Sequence, residues 1–215
     1  RQQQVHAVWA GRELHRATSR PEPYDSLAGH EALRSVVLVD QSPIGRTPRS
    51  IPATYTGLFG PVRALYAATP LAKQRGFGPG HFSFNTPGGR CETCEGAGVR
   101  RLSMDFLPEV EVVCEACGGA RYGRETLEVR YKGHSVAELL DLPAEEALAL
   151  LEPIPACRQI LEVLVGVGLD YLRLGQPGAH LSGGEAQRLK LAKELARGSS
   201  HRTLYILDEP TTGLH

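Results

Sequence analysis

The sequence predicts an α/β fold interrupted by a four-cysteine module, and three features carry that expectation. Two short apolar runs, Val36 to Asp40 and Thr203 to Leu207, have the length and composition of buried strands; the first ends on Asp40 and the second delivers Asp208 and Glu209. A long helix pattern opens on Ser182-Gly183-Gly184 and runs to Ala196. Between these lie two Cys-x-x-Cys pairs, Cys91/Cys94 and Cys114/Cys117.

The elements follow in chain order. After the Val36–Asp40 strand, a stretch punctuated by Pro and Gly runs to about Gly60 with little periodicity. Residues 61–72 fit a short helix, with Val62, Leu65 and Leu71 on one side. Gly and Pro crowd residues 76–89, which read as loop. Val110 to Val113 is strand-like and leads into the second cysteine pair, and Thr126 to Tyr131 alternates as a strand does. Val136–Leu142 and Ala144–Glu152 are amphipathic helices, with Pro143 suited to a helix start. Cys157–Val165 is another helix, stopped by Gly166 and Gly168, and Gly198 closes the helix begun at Ser182. Three regions are expected: 1–60 as part of a nucleotide-binding core, 61–135 as a metal-containing insertion and 136–215 as a helical region with the last strand.

The chain has 215 residues, 41% hydrophobic and 22% charged, as in ordinary globular proteins. No run approaches the roughly 20 apolar residues of a membrane span, and the N-terminus lacks a signal-type apolar core. The chain opens on Arg1, its only Met is Met104, and it is expected to be a piece of a longer polypeptide. Net charge is zero, but the charges are unevenly placed. Between Gln41 and Arg90 there are six basic residues (Arg46, Arg49, Arg63, Lys73, Arg75, Arg90), no acids, and six of the thirteen aromatics. Cations with aromatics suit phosphates and exposed bases; equally, those aromatics could be core beneath a loop-rich connector.

Nineteen residues separate the cysteine pairs. Two residues between thiolates let both sulfurs of a knuckle face one ion, and two knuckles complete a tetrahedral Cys₄ zinc site. Glycines follow each pair (Gly96, Gly98; Gly118, Gly119), easing the turns. Disulfides or unconnected thiols are the alternatives; nothing marks the chain as secreted, and a redox motif needs only one pair. Structural zinc at Cys91, Cys94, Cys114 and Cys117 is the expectation. Cys157, alone on an apolar helix, reads as a small buried residue.

Ser182 can cap its helix, with Glu185 completing a capping box. Gly183 and Gly184 leave first-turn N–H groups open at the positive end of the dipole, where a phosphate can sit; a merely flexible, Ser-capped entry is the alternative. Asp208, at a strand end, is placed to hold Mg²⁺, and Glu209 to orient or deprotonate a water. A polar loop entrance would look similar, but not with a glycine-rich helix start some twenty residues upstream.

Taken together, LSGGEAQRLKLAKEL and LYILDEPTTGLH resemble the signature and Walker B segments of ABC ATPases. With DQSPIGRTPRS, CETCEGAG, FLPEVEV, CEACGGARYGRETLEV and VGLDYLRLGQP in this order, the chain resembles the UvrA family in particular, from about Val36 to its end. The resemblance implies a partial ABC-type (P-loop NTPase) domain with a helical signature region and an inserted Cys₄ zinc module. It implies Gln41 as the Q-loop residue, Ser182, Gly183, Gly184 and Glu185 as the signature, Asp208 at Mg²⁺ and Glu209 as catalytic base. ATP, Mg²⁺ and structural Zn²⁺ are the implied cofactors. Damaged duplex DNA, a second copy of the full-length protein and a UvrB-type helicase are the implied partners, in the cytoplasm and without a membrane. Arg75, Arg90, Arg100 and Arg101 are candidates for DNA. Ile51 stands where the family usually has Asn, and Gly178-Ala179-His180 departs from the usual approach to the signature.

The sequence holds no Gly-Lys dipeptide, so a Walker A loop is expected before Arg1 and a switch histidine after His215. The 215 residues alone are therefore expected not to turn over ATP. Two other readings compete: a UvrA-like paralogue in drug resistance or export, which would keep the zinc insertion, and a chaperone-type zinc module. The second pair's Arg121, where such modules have Gly, counts against the last.

Overall fold

A computed structural model describes residues 32–104, 107–198 and 202–208, with 102–104 and 107–109 described by their backbone alone. Strand β1 (Ser35–Val39) is followed by helices α1 (Pro52–Tyr55), α2 (Phe59–Ala67) and α3 (Pro70–Gln74). The hairpin strands β2 (Val99–Met104) and β3 (Leu107–Val113) come next, then helix α4 (Arg124–Glu128) and the short strands β4 (Arg130–Tyr131) and β5 (His134–Ser135). Helices α5 (Val136–Asp141), α6 (Ala144–Leu151) and α7 (Pro155–Gly166) lead through a 3₁₀ turn (Gly178–His180) to α8 (Gly183–Ala196) and strand β6 (Thr203–Leu207).

The first and last strands pair. β1 and β6 run parallel, in register from Ser35 opposite Thr203 to Val39 opposite Leu207. Parallel pairing needs a crossover, and here the rest of the described chain supplies it. Both strands end at the same edge, so Asp40 and Asp208 emerge side by side, and the Asp208 N–H donates to the Val39 carbonyl at 3.3 Å.

One hydrophobic cluster holds the helical part together. Ile51, Phe59, Tyr66, Phe82, Phe84 and Tyr122, all before α4, join Leu139, Leu151, Leu161, Leu164 and Leu189 after it. Phe59 stacks on Phe84 with ring centroids 5.0 Å apart, and Tyr122 meets Phe84 edge-on. The buried Tyr122 hydroxyl donates to the Phe82 carbonyl and that of Tyr66 to His134, as buried phenols require.

Three expectations need correction, and one question left open by the sequence is answered. The helix of 61–72 is two helices, because Pro70 has no N–H to donate and holds Thr69 extended at ψ 152°. The loop-like stretch before it already contains α1 and the start of α2. Thr126–Tyr131 is not one strand. Arg124–Glu128 is helical, since the buried Thr126 hydroxyl donates to the Gly89 carbonyl and anchors a helical turn; only Arg130 and Tyr131 pair as strand. The aromatic half of the 41–90 segment is core: Phe59, Tyr66, Phe82 and Phe84 are buried and unavailable to stack on bases.

Candidate functional site

The four paired cysteines converge. Their sulfurs all lie within 4.8 Å of one another, and those of Cys94 and Cys117 are 3.8 Å apart. Zinc–sulfur bonds of about 2.3 Å in a tetrahedron put sulfurs about 3.8 Å from each other, so the donor set suits zinc. None of the described cysteines forms a disulfide. Cys91, Cys94 and Cys114 are buried and Cys117 partly so, forming a small cluster apart from the main core.

Local backbone makes the two knuckles. Gly96 sits at φ +80°, and any β-carbon there would collide with the Phe84 carbonyl. Its N–H donates to the Cys91 carbonyl at 3.1 Å, and the Gly98 N–H to the Cys94 sulfur at 3.3 Å. Burial alone would raise the Cys91 thiol, but the Cys94 and Thr93 N–H groups and neighbouring thiols pull it down to about 7. Burial, with the adjacent Cys114 and Cys94 sulfurs, pushes Cys117 up to about 12. A cation at the centre is what would let all four ionise together. Cys157 lies far from this centre in sequence and use: it is buried on α7, where burial raises its thiol to about 11.

The second constellation is the start of α8. Ser182 accepts from the Glu185 N–H at 3.3 Å, and the Ser182 N–H donates to the Glu185 carboxylate at 2.8 Å, completing the capping box expected from sequence. The first-turn N–H groups of Gly183 and Gly184 have no partner in the helix ladder. Burial would raise Glu185, but the Ser182 N–H and hydroxyl and the Tyr171 hydroxyl hold its carboxyl below the usual range. Tyr171 donates to Glu185 at 3.0 Å and accepts from Arg188 at 3.2 Å. Sequence reading missed Tyr171, since nothing local distinguishes it from a surface aromatic.

Gln41 reaches this helix start. A β-carbon at Gly183 would come 2.8 Å from the Gln41 side-chain oxygen. Farther along α8, the buried Gln187 donates to the carbonyls of Val39 at 3.2 Å and Asp208 at 2.5 Å. Lys190 pairs with Asp40 and donates to the Ser42 hydroxyl at 2.7 Å. Gln41 thus lies against the start of α8 at Gly183, and Gln187 and Lys190 hold the same helix to the strand ends that bear Asp40 and Asp208, the end at which ligands of parallel sheets bind. Gln187 and Lys190, which make that connection, were not singled out from sequence, although their spacing from Ser182 on one helix could have suggested it. Glu209 lies outside the described residues.

The arginines proposed for DNA are variously engaged. Arg75 pairs with Glu128 at 2.6 Å, Arg90 with Glu92 at 3.2 Å and Arg101 with Glu111 at 3.1 Å. Arg100 is exposed on β2, on a hairpin whose facing strand also exposes Val110, Val112 and Val113. Ile51, the departure from the family pattern, is fully buried and precedes α1, where the Thr54 hydroxyl accepts from its N–H in place of a side-chain cap.

No described helix is long and apolar enough to cross a membrane. Residues 124–212 match the ABC transporter family model. The chain is 58% identical over 204 residues to UvrABC system protein A of Neisseria meningitidis serogroup A, covering 95% of this chain and 22% of that protein. It is 57% identical to the Thermus thermophilus protein of the same name, over 94% of this chain and 21% of that one. The crystal structure of UvrA2 from Deinococcus radiodurans superposes with a TM-score of 0.81 at 56% identity, covering 86% of this chain and 23% of that one. The chain thus spans about a fifth of the length of these relatives. It is a UvrA homologue, containing part of an ABC ATPase domain and a four-cysteine centre.

Proposed function

We propose that the protein carrying this chain hydrolyses ATP to recognise damaged duplex DNA in bacterial nucleotide excision repair. The observation behind this reading is the joint presence of two features in a UvrA homologue: a capped Gly-Gly helix start against Gln41 at the ends of parallel strands, and a four-thiol centre. Regions 1–60, 61–135 and 136–215 serve as nucleotide-binding core, zinc insertion and signature region, although one apolar core runs through all three.

The helix start of Ser182, Gly183, Gly184 and Glu185 presents the open N–H groups of Gly183 and Gly184, beside the mutually capped Ser182 and Glu185, to phosphates of an opposing site. Asp208 and Gln41 hold Mg²⁺ and its water, and Glu209 takes the proton of the attacking water. The phosphate-cradling lysine loop is absent from these 215 residues, so turnover belongs to the longer polypeptide. Zinc, held by Cys91, Cys94, Cys114 and Cys117, leaves no open coordination position and supplies shape only. DNA contact is assigned first to Arg100 on the exposed hairpin. At Arg75, Arg90 and Arg101, phosphate would have to displace Glu128, Glu92 and Glu111. The protein acts in the cytoplasm as a homodimer with a UvrB-type helicase.

The test uses the full-length protein. ATP turnover, preferential binding of ultraviolet-damaged duplex and restored ultraviolet resistance in an excision-deficient bacterium are expected; Glu209→Gln should lose turnover and keep nucleotide binding. Turnover without damage preference or rescue, accompanied by drug resistance, would instead assign the protein to a resistance or export paralogue.

A further inference from the structure

Both cysteine knuckles grip one dipeptide outside the metal module. From the second knuckle, Arg121 sends its guanidinium to the Pro48 carbonyl at 2.8 Å and to the Gly175 carbonyl at 3.2 Å. From the first, the Glu95 carbonyl accepts from Arg49 at 2.7 Å. Pro48 and Arg49 lie at the end of the segment that begins with Gln41.

Arg121 is also part of the knuckle itself. It stands four residues after Cys117 in the chain, and its carbonyl accepts from the Cys91 N–H at 2.9 Å. Its backbone is left-handed, at φ +70°, and its guanidinium lies over the Phe84 ring, 5.3 Å from the centroid. One residue therefore holds the first knuckle to the second by its main chain and two distant loops by its side chain.

Those loops continue to the signature. The Gly178 N–H donates to the Ser50 carbonyl at 2.7 Å, and a β-carbon at Gly178 would come 2.5 Å from Ile44. Gly178 begins the 3₁₀ turn that delivers Leu181 and Ser182. At the other end of the segment, Gln41 lies against Gly183.

We propose that Arg121 is a positioning residue that transmits the state of the four-cysteine centre to segment 41–50 and to the approach to Ser182. Its planar fork reaches two carbonyls at once, which a lysine ammonium on a flexible stem cannot do in the same geometry. If the knuckle loosens, the Arg121 main chain moves, and Pro48 and Gly175 lose their common donor. That these segments face nucleotide rests on the function proposed above; the clamp itself does not.

Coupling of this kind is established by combined perturbation, not by adjacency. Hydrogen–deuterium exchange of the full-length protein is read in peptides covering 44–52 and 173–182, with zinc bound and after chelation. Wild type is compared with Arg121→Asn, whose side chain tolerates left-handed backbone, and with Arg121→Lys; zinc content is measured throughout. In wild type, chelation should speed exchange in both peptides about tenfold, the scale of one charged hydrogen bond. Zinc-loaded Arg121→Asn should already show that speed, chelation should then add little, and Arg121→Lys should be intermediate.

Protection equal to wild type in zinc-loaded Arg121→Asn would overturn the proposal, as would a chelation effect undiminished by the substitution. If Arg121→Asn cannot hold zinc, the same comparison is made with Arg121→Lys. Loss of zinc from both variants would also overturn it, by confining Arg121 to the knuckle's own fold. Neither ATP turnover nor DNA is involved in this measurement, so its failure and failure of the proposed function are separable.

Discussion

Gln187 donates its side-chain amide to the Asp208 carbonyl at 2.5 Å while also reaching Val39 at 3.2 Å, so one buried group on α8 closes the ends of both parallel strands. Gln187 is 4% exposed. Replacing it by Ala removes the donor to two carbonyls in a site with little water. Unmade buried hydrogen bonds cost about 1–3 kcal/mol. Gln187→Ala is expected to destabilise by about that amount, read as a lowered denaturant midpoint with unchanged slope. Loss of protection at the Asp208 N–H should accompany it.

Gly183→Ala separates helix stability from site geometry. Alanine is favoured over glycine in a helix by up to about 1 kcal/mol, so folding should change by less than that. The new methyl would meet the Gln41 side-chain oxygen at 2.8 Å and its β-carbon at 3.2 Å, and Gln41 must withdraw. Misplacement on this scale can cost catalysis up to about 100-fold. Turnover by the full-length protein should fall about tenfold while the unfolding midpoint barely moves.

Much of the site was legible because its chemistry is local. Cys-x-x-Cys spacing and the Ser182–Glu185 box are short-range patterns, and both knuckles and capping box formed as read. The strands bearing Asp40 and Asp208 were legible as apolar runs, but their pairing across the whole described chain was not. Thr126 shows why propensity failed: its alternating neighbours read as strand, whereas a single bond to Gly89, 37 residues away, fixes a helix. The aromatics of 41–90 show the same limit, because composition cannot tell a stacking surface from a core. Arg121 and Tyr171 act through partners from other elements, which no sequence period records.

Metal removal should act locally first. The cysteine cluster packs separately from the main core, and without a cation four clustered thiolates would repel one another. One zinc per chain is expected by metal analysis. Chelation should open residues 85–125, seen as new protease sites there, before the leucine-rich core of α5–α8 is lost. Cys114→Ser should reproduce this, since Cys114 is fully buried and its sulfur cannot be replaced from solvent. Cys157→Ser should leave zinc content unchanged and instead lower stability modestly, because it places a hydroxyl in the apolar core.

Acid should weaken the same framework through three carboxylates. Hydrogen bonding from Lys190, then from Ser42, lowers Asp40 below its ordinary value of 3.8. Glu138, bonded first by the Ser135 N–H, and Glu185, where the Ser182 and Tyr171 donors outweigh burial, lie below the ordinary 4.5. A carboxyl lowered on folding contributes its full stabilisation above the unfolded value and loses it as pH falls through the folded one. Stability should therefore be flat in these groups above about pH 5 and decline below about 4.5. Lys190→Met removes the main cause of the Asp40 shift, and Ser182→Ala the cap that Glu185 completes. Each should reduce stability at pH 7 and flatten its decline between pH 5 and 3, followed by denaturant midpoints across that range. A decline as steep as wild type in both variants would place the acid sensitivity elsewhere in the chain.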